Sequence, residues 1–249
     1  MRWIAAATIG LILFSAVWVH AQPAQVATQA GPVIVENVAI GLVHPWGMDF
    51  LPDGRLLVTE RPGRLRILQR DGRLSQPLAG TPEVFARGQG GMLDVAVDPE
   101  FANNRLVYLS FSEPGSGGAS TELGRGRLAG DRIEGFQVIF RQEPKVSGPN
   151  HFGSRIVFAP DGKLFLTTGE RYKFEPAQDV SSHLGKIIRI NRDGSTPWAN
   201  PMLRVSGAKP EIWSYGHRNI QAAAINPQTG ALWVAEMGPR GGDELNVPE

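Results

Sequence analysis

The stretch Ile156-Val-Phe-Ala-Pro-Asp-Gly-Lys-Leu-Phe-Leu166 decides the reading of the fold. Apolar and β-branched residues flank a turn in which proline presets φ and Asp-Gly supplies the positive-φ position. The phrase therefore predicts a strand, a tight turn and a returning strand. It recurs as Met48-Asp-Phe-Leu-Pro-Asp-Gly-Arg-Leu-Leu-Val58 and as Ala223-Ala-Ile-Asn-Pro-Gln-Thr-Gly-Ala-Leu-Trp-Val234. A looser copy is Leu93-Asp-Val-Ala-Val-Asp-Pro99 ahead of Arg105-Leu-Val-Tyr-Leu109. Its prolines, Pro52, Pro99, Pro160 and Pro227, stand 47, 61 and 67 residues apart, which suits four-stranded units with variable loops. A β-sandwich also has recurring turns, but its hairpins rarely repeat one phrase at such intervals. The expected fold is all-β, a β-propeller.

The composition agrees. The chain has 249 residues, 42% hydrophobic and 20% charged, which reads as globular. Its 30 glycines and 19 prolines follow no low-complexity period and read as punctuation between many short elements. Segments with helical periodicity are few, so helices should be minor and confined to loops.

At the N-terminus Arg2 precedes an apolar run from Ile4 to Val19, followed by Val19-His-Ala21 and a polar segment. This is the layout of a cleavable signal over residues 1 to 21, with cleavage after Ala21, and it predicts export to the periplasm or beyond. The run is short of the roughly 20 residues a membrane span needs, so no stable membrane insertion is expected after cleavage. Residues 22 to 32, rich in Gln, Ala and Pro, read as a flexible linker, and the folded domain is expected from about Val33 to Glu249. Without Arg2 the 25 basic residues become 24, equal to the 24 acidic ones, so no net field draws the chain to nucleic acid. The absence of cysteine excludes disulfides, thiol nucleophiles and iron–sulfur ligation.

The histidines outside the signal are His44, His151, His183 and His217, none in a zinc-spaced pair. There is no GxSxG elbow, no Walker loop and no complete GxGxxG, and the Gly-rich stretches 115 to 118 and 124 to 130 read as loops. Polar phrases interrupt the strands instead: Gln89-Gly-Gly91, Asn150-His-Phe-Gly-Ser-Arg155, Gly169-Glu-Arg171, Gly216-His-Arg-Asn-Ile-Gln221 and Glu236-Met-Gly-Pro-Arg-Gly-Gly-Asp-Glu244. At strand ends they would gather on one face. His44 and His183 read as structural hydrogen-bonders. His151 stands out because Glu170, one hairpin further on, could orient its imidazole and support the charged form, as a general base requires.

Taken together and in this order, the five phrases resemble those of the soluble quinoprotein glucose and aldose sugar dehydrogenases, from about residue 33 to the end. The resemblance implies a six-bladed propeller, of which about four blades fit here, binding pyrroloquinoline quinone (PQQ) and Ca²⁺ at its channel face. It implies oxidation of the C1 hydroxyl of an aldose to a lactone, with electrons passed to an acceptor that the sequence does not identify. By position, His151 matches the general base, Glu170 its acidic partner, and Arg218 the cation beside the quinone oxygens. Gln89 and Asn219 match cofactor-binding amides, and Gln221 belongs to the same phrase. Gly238 and Pro239 match the residues whose carbonyls hold the cofactor calcium. Asp243 and Glu244 are candidate ligands of a second calcium, or alternatively a solvated turn. Ile220 stands where the family often has proline. The lysine and arginines of the family's later blades have no counterpart before Glu249, which marks a C-terminal truncation relative to the family. Two other readings remain: a calcium-dependent propeller lactonase, and a propeller fragment that only binds a partner.

Overall fold

The computed structural model describes residues 24 to 248, so the expected signal over residues 1 to 21 lies outside them. The chain divides into two compact units, the first ending at Ile40 and the second starting at Gly41. In the first, β1 (Ala24–Thr28) and β2 (Gly31–Val35) form an antiparallel hairpin with Thr28 opposite Gly31. Composition predicts a flexible linker over residues 22 to 32 and a domain start near Val33. Residues 24 to 35 pair instead, because Thr28 Oγ1 donates to the Gly31 carbonyl at 2.5 Å and closes the turn.

The second unit is all-β, as the repeated phrase predicts, and its four antiparallel sheets follow one another along the chain. The first holds β3 (Pro45–Phe50), β4 (Leu56–Glu60) and β5 (Arg64–Leu68). The second holds β6 (Met92–Val97), β7 (Leu106–Gly115), β8 (Gly118–Ala129) and β9 (Arg132–Arg141), with the one-turn helix α1 (Phe101–Asn104) inserted after β6. The third holds β10 (Gly153–Phe158), β11 (Lys163–Thr168), β12 (Lys186–Asn191) and β13 (Ile212–Tyr215). The fourth holds β14 (Ile220–Ile225), β15 (Leu232–Glu236) and β16 (Glu244–Asn246). No helix among the described residues is long and apolar enough to cross a membrane.

Each repeated phrase builds the first hairpin of its sheet. In the third sheet, Ala159 N–H donates to the Lys163 carbonyl at 2.8 Å, and the Asp161 carboxylate accepts the Lys163 N–H. One departure lies at residues 124 to 130, expected as a loop. Gly124 to Ala129 continue β8, because a Cβ at Gly124 would collide with the Phe136 ring and one at Gly126 with Ile133. These glycines let β9 side chains lie across the strand.

The apolar core is divided among the spaces between successive sheets. Leu57, Leu65 and Ile67 of the first pack with Val95, Val107 and Leu109 of the second. Tyr108, Leu123 and Phe140 of the second meet Ile156, Leu166 and Ile188 of the third. Phe165 and Ile187 of the third meet Ile220, Leu232 and Val234 of the fourth.

A hydroxyl clasp crosses each of these three interfaces. The first strand of each of these four sheets carries a register shift. In the first three sheets a Thr or Ser of the second strand answers it: Thr59, Ser110 and Thr167 accept the main-chain N–H of Gly47, Asp94 and Arg155, each at 2.9 Å. Each hydroxyl then donates forward into the next sheet. Thr59 donates to the Leu93 carbonyl, Ser110 to that of Ser154 at 2.7 Å, and Thr167 to that of Ile220 at 2.9 Å. All three residues are fully buried, so each clasp pairs backbone groups that the shift would leave without partners. In the fourth sheet the equivalent position, three residues after Leu232, is Ala235.

Side chains reinforce these joints. Arg155 donates from Nη1 to Asp94 at 2.8 Å and from Nη2 to the Gln221 carbonyl at 3.0 Å, and lies over the Trp46 ring. Burial pushes the Asp94 carboxyl up to about 6, although Arg155 and the Ile156 N–H oppose the shift. On the outer side, Lys145 Nζ reaches Glu113 at 2.7 Å and Glu122 at 2.9 Å, tethering the segment that leads to residue 150 against the β7–β8 hairpin. Glu122 is fully buried; Ser120 and Lys145 serve its Oε1, whereas Oε2 accepts no hydrogen bond, with Arg141 Nε 3.4 Å away. Burial raises its carboxyl from the ordinary 4.5 to about 7, against the opposing pull of Lys145.

Two predictions follow from these joints. Ser110→Ala leaves the Asp94 N–H and the Ser154 carbonyl unpaired in the interior and should lower unfolding free energy by about 1–3 kcal/mol, read from urea denaturation; a loss below about 0.3 kcal/mol would contradict the clasp. Because the folded value of Glu122 lies above its unfolded one, its stabilising contribution is complete below about 4.5 and is lost as pH rises through about 7. Glu122→Gln should flatten the stability profile across that window, and an unchanged slope would refute the assignment.

Candidate active site

In an antiparallel hairpin the start of the first strand and the end of the second lie at one end. Gln89-Gly-Gly91 precedes β6, Asn150-His151-Phe152 precedes β10, and His217-Arg218-Asn219 precedes β14. Gly169-Glu170 follows β11, and Met237-Gly238 follows β15. Alternation and clasps therefore deliver these phrases to one end of the sheet array.

Hydrogen bonds tie them together. Gln89 Oε1 accepts the His151 N–H at 2.8 Å. Asn219 Oδ1 accepts the Gly153 N–H at 3.0 Å. The Arg218 carbonyl accepts the Glu170 N–H at 2.9 Å, and Arg218 Nη1 donates to the Met237 carbonyl at 2.7 Å. His151, Glu170, Arg218, Asn219 and Gln89 thus form one connected cluster, with Gly238 and Pro239 directly beyond Met237.

His151 and Glu170 are buried, and their Nδ1 and Oε1 are 2.5 Å apart. Glu170 Oε2 accepts the N–H groups of Lys173 and Phe174, the latter at 2.9 Å. A carboxylate so held accepts the Nδ1 proton and leaves Nε2 as the basic nitrogen. Among the described residues Nε2 has no hydrogen-bond partner. The backbone is strained here: His151 has φ 54°, Arg171 and Tyr172 60°, and Phe174 63°. Non-glycine residues in this region cluster where geometry serves function. Gly169 is required by contact, since a Cβ there would collide with the His151 carbonyl.

Arg171, in a phrase that the sequence marks without giving it a role, proves to be the brace of this loop. It is buried, lies 3.6 Å from the Phe152 ring centroid, and donates to the carbonyls of Ala119, Gly148 and Asn150. Burial lowers its guanidinium to about 10, still charged at neutral pH. The Tyr172 ring stands edge-on to His151 with centroids 4.9 Å apart.

The remaining candidates take distinct places. Gln221 uses its carbonyl for Arg155. Ile220 is buried in the core between the third and fourth sheets. The Gly238 N–H donates to Asp243 at 2.9 Å, the Pro239 carbonyl accepts the Gly242 N–H at 3.1 Å, and Glu244 accepts from Asn246. Asp243 and Glu244 are exposed, and among the described residues no group of three or more His, Cys, Asp or Glu side chains is arranged to hold a metal. Any ion here would rest chiefly on main-chain carbonyls. His183 is engaged at both ring nitrogens, accepting the Glu143 N–H at Nδ1 and lying 3.4 Å from Glu211 at Nε2. His44 is exposed, and its carbonyl accepts the Arg61 N–H.

A pairing that sequence reading missed is His217 with Glu236, both buried, Nδ1 to Oε1 3.1 Å. The signal was present: His217 precedes Glu236 by the same 19 residues that separate His151 from Glu170.

The chain is 47% identical over 243 residues to the aldose sugar dehydrogenase YliI of Escherichia coli, covering 96% of this chain and 63% of that protein. It is 30% identical to quinoprotein glucose dehydrogenase B of Acinetobacter calcoaceticus, covering 86% of this chain and 49% of that one. The PQQ-bound structure of an aldose sugar dehydrogenase from Streptomyces coelicolor superposes with a TM-score of 0.75 at 33% identity, over 86% of this chain and 63% of the other. The chain therefore spans about half to two-thirds of the length of these relatives. The family model described as glucose / sorbosone dehydrogenase matches residues 42–249, and the chain belongs to that family.

Proposed function

We propose that the whole protein is a PQQ-dependent sugar dehydrogenase that oxidises the C1 hydroxyl of an aldose to the lactone. The observation that carries this is the His151–Glu170 pair, with Nδ1 held and Nε2 open, in one hydrogen-bonded cluster with Arg218 and Gln89. The relatives, an aldose sugar dehydrogenase and a quinoprotein glucose dehydrogenase, support the same reading.

The residues present fit such a cofactor. A planar, oxygen-rich anion calls for cationic and amide donors on an accessible face. Arg218 is half-buried with one arm braced by Met237, and the Gln89 amide nitrogen has no partner among the described residues. Asn219 spends its side-chain oxygen on Gly153, which leaves its amide nitrogen as the group that could serve a ligand. Gln221 would serve from the same phrase. Carbonyl oxygens at Gly238 and Pro239 would suit Ca²⁺, a hard cation, and Asp243 and Glu244 are proposed as further oxygen donors. When bound, the quinone supplies the two-electron acceptor for the hydride that leaves C1.

The chain's own residues do the rest. His151 Nε2 removes the proton of the anomeric hydroxyl, so the carbonyl of the lactone forms as C1 gives up hydride. Glu170 stabilises the resulting imidazolium through Nδ1–H and prevents the ring from turning. Arg218 contributes a fixed positive charge where negative charge develops, and its orientation in advance avoids reorganisation during the reaction. The signal-like N-terminus supports a periplasmic or secreted location.

Reconstitution of the whole protein with PQQ and Ca²⁺ should give aldose-dependent bleaching of a redox dye. His151→Asn should lower kcat by about 10²–10⁴-fold while leaving PQQ binding intact, and Glu170→Gln should produce a smaller loss with an altered pH profile. Absence of sugar-dependent dye reduction, or lactone hydrolysis without quinone, would overturn the proposal.

A further inference from the structure

The third and fourth sheets carry equivalent imidazole–carboxylate pairs, but their surroundings differ. His151 has an open Nε2. His217 has its Nε2 2.9 Å from the Ser214 hydroxyl and its Nδ1 3.1 Å from Glu236 Oε1, so both ring nitrogens are engaged. With Nδ1–H given to the carboxylate and the serine hydroxyl donating to Nε2, this ring has no free site for a substrate proton.

The other carboxylate oxygen shows what the chain of groups is for. Glu236 Oε2 accepts the main-chain N–H of Arg218 at 2.7 Å. The His217 N–H donates to the Gly185 carbonyl at 3.1 Å, and the Arg218 carbonyl accepts from Glu170. The loop from 216 to 219 is thereby fixed at two points, by the Glu236 carboxylate at the Arg218 N–H and by the main-chain N–H of Glu170 at the Arg218 carbonyl.

We propose that Ser214, His217 and Glu236 form a positioning relay: a hydroxyl–imidazole–carboxylate chain, its imidazole and carboxylate buried, that fixes the main chain of Arg218 and so aims its guanidinium into the site. That the guanidinium meets a quinone rests on the function proposed above; the fixing of Arg218 does not. Ser214 and Glu236 belong to different sheets, so the relay also makes the pose of Arg218 depend on the junction between the third and fourth sheets. Groups that hold a functional side chain in register control its placement within fractions of an ångström.

The test uses the whole protein labelled with ¹⁵N. Long-range ¹H–¹⁵N spectra should show His217 protonated at Nδ1 and bare at Nε2. Glu236→Gln and Ser214→Ala should each mix the tautomers of His217 while leaving the ring signals of His151 in place. Amide exchange at Arg218 should accelerate about tenfold or more in Glu236→Gln and by a smaller factor in Ser214→Ala. PQQ affinity, read by quenching of tryptophan fluorescence, should fall about tenfold in Glu236→Gln. Arg218 exchange within about twofold of wild type in both variants, with native circular dichroism, would overturn the relay. If Glu236→Gln fails to fold, Ser214→Ala decides alone by the same criterion. A wild-type chain that binds no PQQ counts against the cofactor reading, and Arg218 exchange then decides the relay by itself.

Discussion

A buried hydroxyl that accepts from its own sheet and donates to the next is the constraint on which the arrangement depends. Hydrophobic contact between sheets is strong but non-directional, and alone it would tolerate sliding of one sheet over its neighbour. The clasps of Thr59, Ser110 and Thr167 remove that freedom, because a hydroxyl displaced by an ångström or two leaves two interior backbone groups unpaired. Their acceptors lie next to the functional residues: Ser154 is three positions after His151, and Ile220 is two after Arg218. The bonds that set the stagger of the sheets therefore also set where the imidazole and the guanidinium stand.

Within that frame the site divides its labour through environment rather than residue type. Two histidines, each backed by a glutamate at the same interval, are given different tasks by what meets the far nitrogen. His151 is left open, whereas Ser214 closes His217. Charge is handled in the same way: Arg171, wholly buried, is consumed by backbone carbonyls and an aromatic face, whereas Arg218 keeps part of its guanidinium accessible. The strained backbone at His151, Arg171, Tyr172 and Phe174 is held by the Glu170 carboxylate and by Arg171, so one pair of side chains both holds the strain and orients the base.

Much of this was legible because strand, turn and polar loop each have a local signature. The Pro-led phrases marked the hairpins, and the polar phrases at their ends marked the loops that hydrogen bonds join, since period-two patterning and turn chemistry act over a few residues. What escaped reading was decided across the sheets. Thr59, Ser110 and Thr167 look like ordinary β-branched or small strand residues until the neighbouring strand's carbonyl is known. Residues 124 to 129 looked like a loop because their glycines answer the bulk of Phe136 and Ile133 on another strand. The hairpin at residues 24 to 35 was hidden by a composition typical of linkers. Arg171 and Glu236 gave no local sign of their backbone acceptors and donors, although the repeated His-to-Glu interval did point to the second pair.

The proposed chemistry requires that loops from separate sheets converge so that the open nitrogen of His151 and the guanidinium of Arg218 face one ligand. A crystal structure of the protein soaked with PQQ and Ca²⁺ tests it most directly. The quinone oxygens should lie beside Arg218, with His151 Nε2 facing the same ring and still backed by Glu170. Cofactor bound elsewhere, or His151 turned away from Glu170 with its Nε2 buried, would contradict it.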